Sequence, residues 1–162
     1  TLAFPAQMML IPRYVLFKAF GIYNTHLALI LPGMFTAFGT FMLRQFFLSI
    51  PDELCESAKM DGAGHFTIFS RIVVPLAIPA FSALIIFQFV GSWNDYEAPL
   101  VYIRSKELAT IPLGLNFFRD ENSASYGAIM AASVCSLLPI FAVFLAFQKQ
   151  FVAGIATSGL KE

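Results

Sequence analysis

The sequence predicts an all-α polytopic membrane protein: three full transmembrane helices, the end of another, and a polar helix–Gly–helix segment between two of them. Composition is the first reason. Of 162 residues, 58% are hydrophobic, only 12% are charged and nineteen are Phe, with a mean hydropathy of +0.74; an ordinary soluble domain carries roughly 25% charged residues. The second reason is where the charges fall. No Asp, Glu, Lys or Arg occurs in Ala19 to Leu43, Ile72 to Asn94 or Asn122 to Gln148. Each run exceeds the ~20 apolar residues needed to cross a hydrocarbon core of ~30 Å, and an ionised group at its centre would cost about 3 kcal/mol. The third reason is the polar stretch from Ile50 to about Ile72, whose turn signals are dense and whose neighbours on both sides are apolar. A soluble helical bundle is the alternative, but three such runs leave too little polar surface to keep it in water.

In chain order, Thr1 to Pro12 is uncharged and apolar and does not begin with Met. It lacks a basic n-region and a small-residue cleavage pattern, so it does not fit a signal peptide. It reads as the tail of a span over about 1–12, which makes the chain a stretch of a longer protein. Full spans are then expected over about 19–43, 72–94 and 122–148, with charge clusters between them at Arg13 to Lys18, Arg44 to Arg71, Asp95 to Glu121 and Lys149 to Glu162. Residues 1–162 thus form part of a single transmembrane domain. The second and fourth clusters share one side of the membrane.

Orientation does not follow from counting cations. Arg44, Lys59, Arg71, Lys149 and Lys161 on one side balance Arg13, Lys18, Arg104, Lys106 and Arg119 on the other, so the excess that marks cytoplasmic loops is absent. The formal net charge is zero. No basic surface suggests nucleic acid as a partner. Cys55 and Cys135 stand in different surroundings without paired spacing, which suggests neither a disulfide nor a metal site.

Pro32, Pro75, Pro79 and Pro139 lie in or at the ends of the spans. They fit kinked helices that move, and equally the plain tolerance of Pro where bundle neighbours or water satisfy the freed carbonyls. Ala128, Ala132 and Ser136 place a small residue at every fourth position, which suits close helix packing.

The polar segment begins at Ile50-Pro51-Asp52-Glu53, with Pro at the first helical position and acidic residues in the first turn, where they complement the positive end of the helix dipole. That helix is expected to reach about Met60 and to close on Asp61-Gly62, since Gly takes the left-handed conformation without a Cβ clash. After the Ala63-Gly64 corner a second helix starts near His65 and carries Phe66, Phe69, Ile72 and Val73 on one side at helical spacing. Pro75 marks its entry into the membrane. An amphipathic pair resting in the lipid interface would carry Lys or Arg along its polar face. This first helix sets Asp52, Glu53, Glu56 and Asp61 against Lys59, so a basic protein groove is the better match.

The segment resembles a known motif. Glu56-Ser57-Ala58, three residues, Gly62, nine residues, then Ile72-Val73-Val74-Pro75 is similar to the EAA motif of importer-type ABC permeases, E-A-A, three residues, G, nine residues, I-x-L-P, with Ser57 in place of Ala and Val74 in place of Leu. Nearly the whole chain resembles the MalG-like inner-membrane subunits of carbohydrate uptake systems, through "GIYNTHLALILP", "FMLRQFFLSIPDELCESAKMDGA", "FVGSWNDYEAPL", "LATIPLGLNFF", "YGAIMAASVCSLLP" and "FQKQFVAGIATSGLKE". The match corresponds to the last four of six helices, a C-terminal part of the family's fold, that of a type I ABC importer permease.

The resemblance implies that Ile50 to Ile72 is a cytoplasmic coupling segment seated in a cleft of an ABC ATPase subunit. Glu56, Ser57, Ala58, Asp61 and Gly62, with Ile72 and Pro75, would then be ATPase-coupling positions, and Phe66 and Phe69 candidate knobs for the apolar part of the cleft. The tail from Gln148 implies a contact between the ATPase subunits through Gly154, Gly159 and Lys161; from the residues alone a Gly-, Ala- and Ser-rich terminus fits as well. The resemblance further implies a second permease subunit, an extracytoplasmic sugar-binding protein and a multi-pass place in a bacterial or archaeal cytoplasmic membrane. No G-x-x-x-x-G-K-[ST] run occurs, so no cofactor is expected in this chain; ATP and Mg would sit on the partner ATPase. No bond-making chemistry is expected of it.

"GSWNDY" puts Trp93, Asn94 and Asp95 at the outer end of the span that starts near Ile72. Aromatic faces with amide and carboxylate groups suit sugar rings. Trp and Tyr also anchor helices at interfaces, and Asp95 equally suits a contact with the binding protein. The competing function is a secondary transporter or channel driven by an ion gradient. Such proteins place ionisable residues inside their spans, whereas His26 is the only titratable candidate here and lies near an end. A purely structural anchor leaves the helix–Gly–helix segment unexplained.

Overall fold

The computed structural model describes residues 5–116 and 126–158. Among them there are helices and no strand. In chain order they are α1 (Leu10–Ala19), α2 (Leu27–Met34), α3 (Ala37–Leu48), α4 (Asp52–Met60), α5 (His65–Ile68), α6 (Val74–Leu76), α7 (Ile78–Trp93), α8 (Glu97–Tyr102), α9 (Ile111–Leu115) and α10 (Tyr126–Ser158). Two stretches are long and apolar enough to cross a membrane, Leu27–Leu48 and Tyr126–Lys149; a third is a pair bent by 66°, His65–Leu76 with Ile78–Trp93. The chain divides into two compact units, one of Thr1–Ala37 with Gln88–Val143 and one of Phe38–Phe87 with Phe144–Glu162.

In the first unit the expected span end over 1–12 becomes a 3-10 turn, Ala6–Met9, leading into α1, which continues through Arg13 and Lys18 to Ala19. The charges do not end it. Lys18 lies in the last turn, favoured by the helix dipole, with its Nζ 5.0 Å from the Tyr14 ring centre and 5.7 Å from that of Tyr23. What ends α1 is Gly21 at φ 70°: its N–H donates to Lys18 O and that of Ile22 to Phe17 O, at 3.2 and 3.0 Å. This is a Schellman closure, in which Gly supplies the left-handed residue and two otherwise free carbonyls are taken up. Ile22 packs on the small core of Phe17, Ala28 and Tyr102, reinforced by an edge-to-face contact of Phe17 and Tyr102 at 5.0 Å. Burial pushes the Tyr102 phenol above its ordinary pKa, and its hydroxyl donates to Leu10 O at 3.2 Å.

The expected span over 19–43 therefore begins and ends later. Ala19 to His26 holds the turn between α1 and α2, with Ile22 and Tyr23 packed on that core, and the apolar helical stretch runs over Leu27–Leu48 with Arg44 near its end. Asn24 organises the turn. At φ 59°, a conformation Asn tolerates better than most residues, its Oδ1 accepts from the N–H groups of Arg104 and Ser105 at 2.8 and 2.9 Å, and its Nδ2 donates to Ser105 Oγ at 2.8 Å. One side chain thus ties the α1–α2 turn to the segment after α8.

In the second unit α3 and α7 pack through Phe38 on Phe87 and Phe47 on Phe81, with ring centres 5.9 and 6.5 Å apart. The span expected as one helix over 72–94 is bent instead. A π turn over Phe69–Val73 leads into α6, and α7 starts afresh at Ile78. Pro75 and Pro79 lack the N–H groups a continuous helix would need, and buried Ala77 fills the corner. The span expected over 122–148 corresponds to Tyr126–Lys149, and its helix, α10, continues to Ser158.

Asn24→Ala removes three side-chain hydrogen bonds, each contributing about 0.5–1.5 kcal/mol. The expected result is a drop of several degrees in the apparent melting temperature of the detergent-solubilised full-length subunit, with a smaller drop for Asn24→Asp, which keeps both acceptor contacts.

Candidate coupling elbow and outer aromatic end

The elbow lies within the second unit. Pro51, at ψ 133°, is the N-cap of α4 and not its first helical residue; Asp52 and Glu53 occupy the first turn. Extended backbone suits Pro there, because the residue before the first turn need not donate a hydrogen bond. Among the residues of α4 none is buried. Glu56, Ser57 and Asp61 are exposed and Ala58 is half-buried, while the Ser57 hydroxyl donates back to Glu53 O at 2.7 Å.

The far end of α4 closes as α1 does. Gly62 has φ 80°, its N–H donates to Lys59 O at 3.0 Å and that of Ala63 to Ala58 O at 3.0 Å, the paired contacts of a Schellman turn. Gly64 then caps α5 in extended conformation. The chain turns a sharp corner within four residues, so the acidic α4 and the aromatic start of α5 project from one compact feature.

Phe66 is 81% exposed and Phe69 49% exposed. The side expected to carry Phe66, Phe69, Ile72 and Val73 together is interrupted after Phe69, because the π turn widens the helix there. Ile72 and Val73 are half-buried and Pro75 is exposed. Met60, 89% exposed beside the corner, and Leu54 at 45% were missed in the sequence; the signal was there in their spacing from Phe66, across a turn whose tightness Gly62 sets.

At the C-terminal end of α7, in the first unit, the three expected residues have partners within the chain. Trp93 stacks on Phe89 with ring centres 5.4 Å apart and planes 18° off parallel, and its Nε1 donates to Ser136 O at 3.0 Å. Asn94 Nδ2 donates to Val90 O at 3.0 Å, so the amide finishes α7. Asp95 Oδ1 accepts from the Ala98 N–H at 3.2 Å and starts α8. Asn116 Nδ2 donates to the Tyr96 hydroxyl at 2.8 Å. Ala128, Ala132 and Ser136, the small residues of α10, are all half-buried. In the tail, Gly154 lies inside α10; Gly159 and Lys161 fall outside the described residues.

Residues 1–157 match the family described as binding-protein-dependent transport system inner membrane component. The chain belongs to that family. The arabinooligosaccharides transport system permease protein AraQ of Bacillus subtilis (strain 168) is 38% identical over 157 residues, 97% of this chain and 56% of its own length. The lactose transport system permease protein LacG of Rhizobium radiobacter is 35% identical over 158 residues, 98% of this chain and 58% of its own. The sn-glycerol-3-phosphate transport system permease protein UgpE of Salmonella typhi is 34% identical over 160 residues, 98% of this chain and 57% of its own. The chain spans a little over half the length of these curated relatives. Membership in a family of inner membrane components accords with the apolar helices and makes the chain part of a membrane transport protein.

A Cβ at Gly62 would meet nothing within 4 Å, so only its positive φ opposes substitution. Gly62→Ala is expected to weaken the turn by about 1–2 kcal/mol, read as faster hydrogen exchange at the Gly62 and Ala63 amides, with Gly62→Asn affected less.

Proposed function

We propose that the protein containing this chain is a permease subunit of an ATP-driven carbohydrate importer, and that this stretch forms part of the solute pathway and couples it to a separate ATPase. The observation that carries the reading is the elbow: an acidic α4 with no buried residue and an exposed Phe66 joined by a Gly-closed corner, in a chain rich in apolar helices. An exposed large aromatic beside a carboxylate row is a poor lipid ligand and a good protein plug. Glu56 would face a basic partner group, with Ser57, Ala58 and Asp61 around it. Phe66 and Phe69, helped by Met60, would fill the apolar part of the cleft, and Gly62 would fix the angle. Ile72 and Pro75 lead from the elbow into the bent span, so displacement of the elbow pulls on the membrane helices. Gly154, Gly159 and Lys161 would add a second contact with the ATPase side.

Under this reading ATP and Mg are held by the ATPase. A second permease subunit completes the pathway, and an extracytoplasmic binding protein delivers the sugar. The elbow then lies on the cytoplasmic side of a bacterial or archaeal membrane that the subunit crosses several times. The names of the relatives AraQ and LacG support an oligosaccharide as solute. Trp93, Asn94 and Asp95 line the outer approach, where the stacked Phe89–Trp93 pair offers a ring face; their hydrogen bonds within the chain make them rigid.

In proteoliposomes holding the full complex, Glu56→Lys is expected to lower solute uptake per ATP hydrolysed at least about tenfold, a loss equivalent to ~1.4 kcal/mol of coupling. Unchanged uptake per ATP would remove the docking role. A membrane-impermeant maleimide should modify Cys55 only when it has access to the ATPase side; modification from outside intact cells would reverse the orientation.

A further inference from the structure

The charge-free run of α7 hides a polar stripe. Gln88 and Ser92 follow at i and i+4 and so share one side of α7, with Asp95 just past the helix end, while Phe89 and Trp93, one step round, form an aromatic stripe beside it. Gln88 Nε2 donates to Ser92 Oγ at 3.2 Å and, over a long 3.4 Å, to Gly33 O. Gly33 adjoins the place where the span Leu27–Leu48 is broken: Pro32 has no N–H to give, and Phe35 is extended at φ −127°, ψ 102°. A helix interrupted in the membrane leaves carbonyls unpaired, and such backbone is stable only against protein or a water-filled path. Gln88 is half-buried, Ser92 exposed and Phe35 86% exposed. An amide and a hydroxyl on an accessible side of an apolar helix belong to a wet path rather than to lipid.

We propose that Gln88, Ser92 and the Gly33 carbonyl form a hydroxyl-binding station for a neutral sugar, deeper in the pathway than Trp93 to Asp95; this rests on the importer reading above. Gln88 donates and accepts, Ser92 does both, and Gly33 accepts, which is the complement of a polyol. The stripe carries no Lys or Arg and leads to a carboxylate at Asp95, so a phosphate ester is disfavoured. The long Gln88–Gly33 contact is weak. A solute hydroxyl inserts between the amide and the carbonyl at little cost, replacing one hydrogen bond with two, and the adjoining Phe89–Trp93 surface supplies a face for the ring. Broken helices at the binding station are a recurrent way for transporters to present backbone acceptors.

The test uses the full-length subunit in its assembled complex, reconstituted in proteoliposomes with Cys55→Ser and Cys135→Ser. Gln88→Cys and Ser92→Cys are each treated with the hydrophilic thiol reagent MTSET, with and without lactose, arabinotriose or glycerol 3-phosphate. Both thiols should react, and at least one of the two neutral sugars should slow the reaction while glycerol 3-phosphate does not. In the otherwise native subunit, Gln88→Leu should raise the half-saturating concentration of the protecting sugar about 3- to 10-fold, the loss of one neutral hydrogen bond, with Gln88→Asn intermediate. Thiols inert to MTSET in the complex yet alkylated after denaturation would make Gln88 a packing group between helices and overturn the station. Protection by no sugar, or by glycerol 3-phosphate alone, overturns it too. The importer reading is checked independently by Glu56→Lys, whose effect on coupling does not pass through position 88.

Discussion

A peptide group shielded from water without a partner costs free energy, in lipid or against protein, so an interrupted helix needs hydrogen-bond partners at its ends. That constraint organises the molecule. Where α1 stops, Gly21 and Ile22 close the carbonyls of Lys18 and Phe17, and Asn24 satisfies the backbone on the far side of the turn. At the break between α2 and α3, Gln88 reaches Gly33 O. Asn94 and Asp95 do the same work where α7 gives way to α8, one taking a carbonyl and the other an N–H. Polar side chains are scarce in this sequence, and several of them are found at the joints.

Breaks satisfied in this way are also the places where the chain can change shape. A continuous span resists bending because each turn carries its own hydrogen bonds, whereas the 66° corner at Ala77 has Pro75 and Pro79 on either side and a π turn just before it. A push on the elbow arrives at that corner after only the few residues of α5, the π turn and α6. The elbow is closed by the Gly62 and Ala63 N–H groups on the carbonyls of Lys59 and Ala58, at 3.0 Å each. Such an elbow joined to a jointed span would pass displacement on to the membrane helices, as the proposed coupling to an ATPase requires.

Legibility in the sequence followed the same divide. The elbow was readable nearly residue by residue: Pro51, Asp52, Gly62 and Gly64 are local signals, and local hydrogen bonding decides where α4 and α5 begin and end. The spans were readable as apolar helices, but not where they start, end or break. Absence of charge does not by itself mark a span: Ala19 to His26 forms a turn, of which Ile22 and Tyr23 pack on Phe17, Ala28 and Tyr102. The π turn was invisible, because no residue type announces it, and it took Ile72 and Val73 off the side that helical spacing gave them. At the end of α7, Trp93, Asn94 and Asp95 were legible as chemistry but not as joints, since their bonds to Ser136, Val90 and Ala98 emerge only with the fold.

Gln88 went unread for the same reason. In a run chosen for having no charge, a neutral amide raises no flag, and its meaning depends on facing Gly33, 55 positions away in the sequence. A leucine there would pack as well against α2 and would leave the broken backbone to fend for itself; retaining an amide in such surroundings costs transfer free energy that an apolar side chain would not. A polar group kept at that cost either closes a helix break or meets a solute, and a contact as long as 3.4 Å closes the break only loosely. The two roles are compatible in one residue. An amide that holds the carbonyl in the empty path and yields it to a hydroxyl in the loaded one gives the span two arrangements, and a bundle with two arrangements is what alternating access requires.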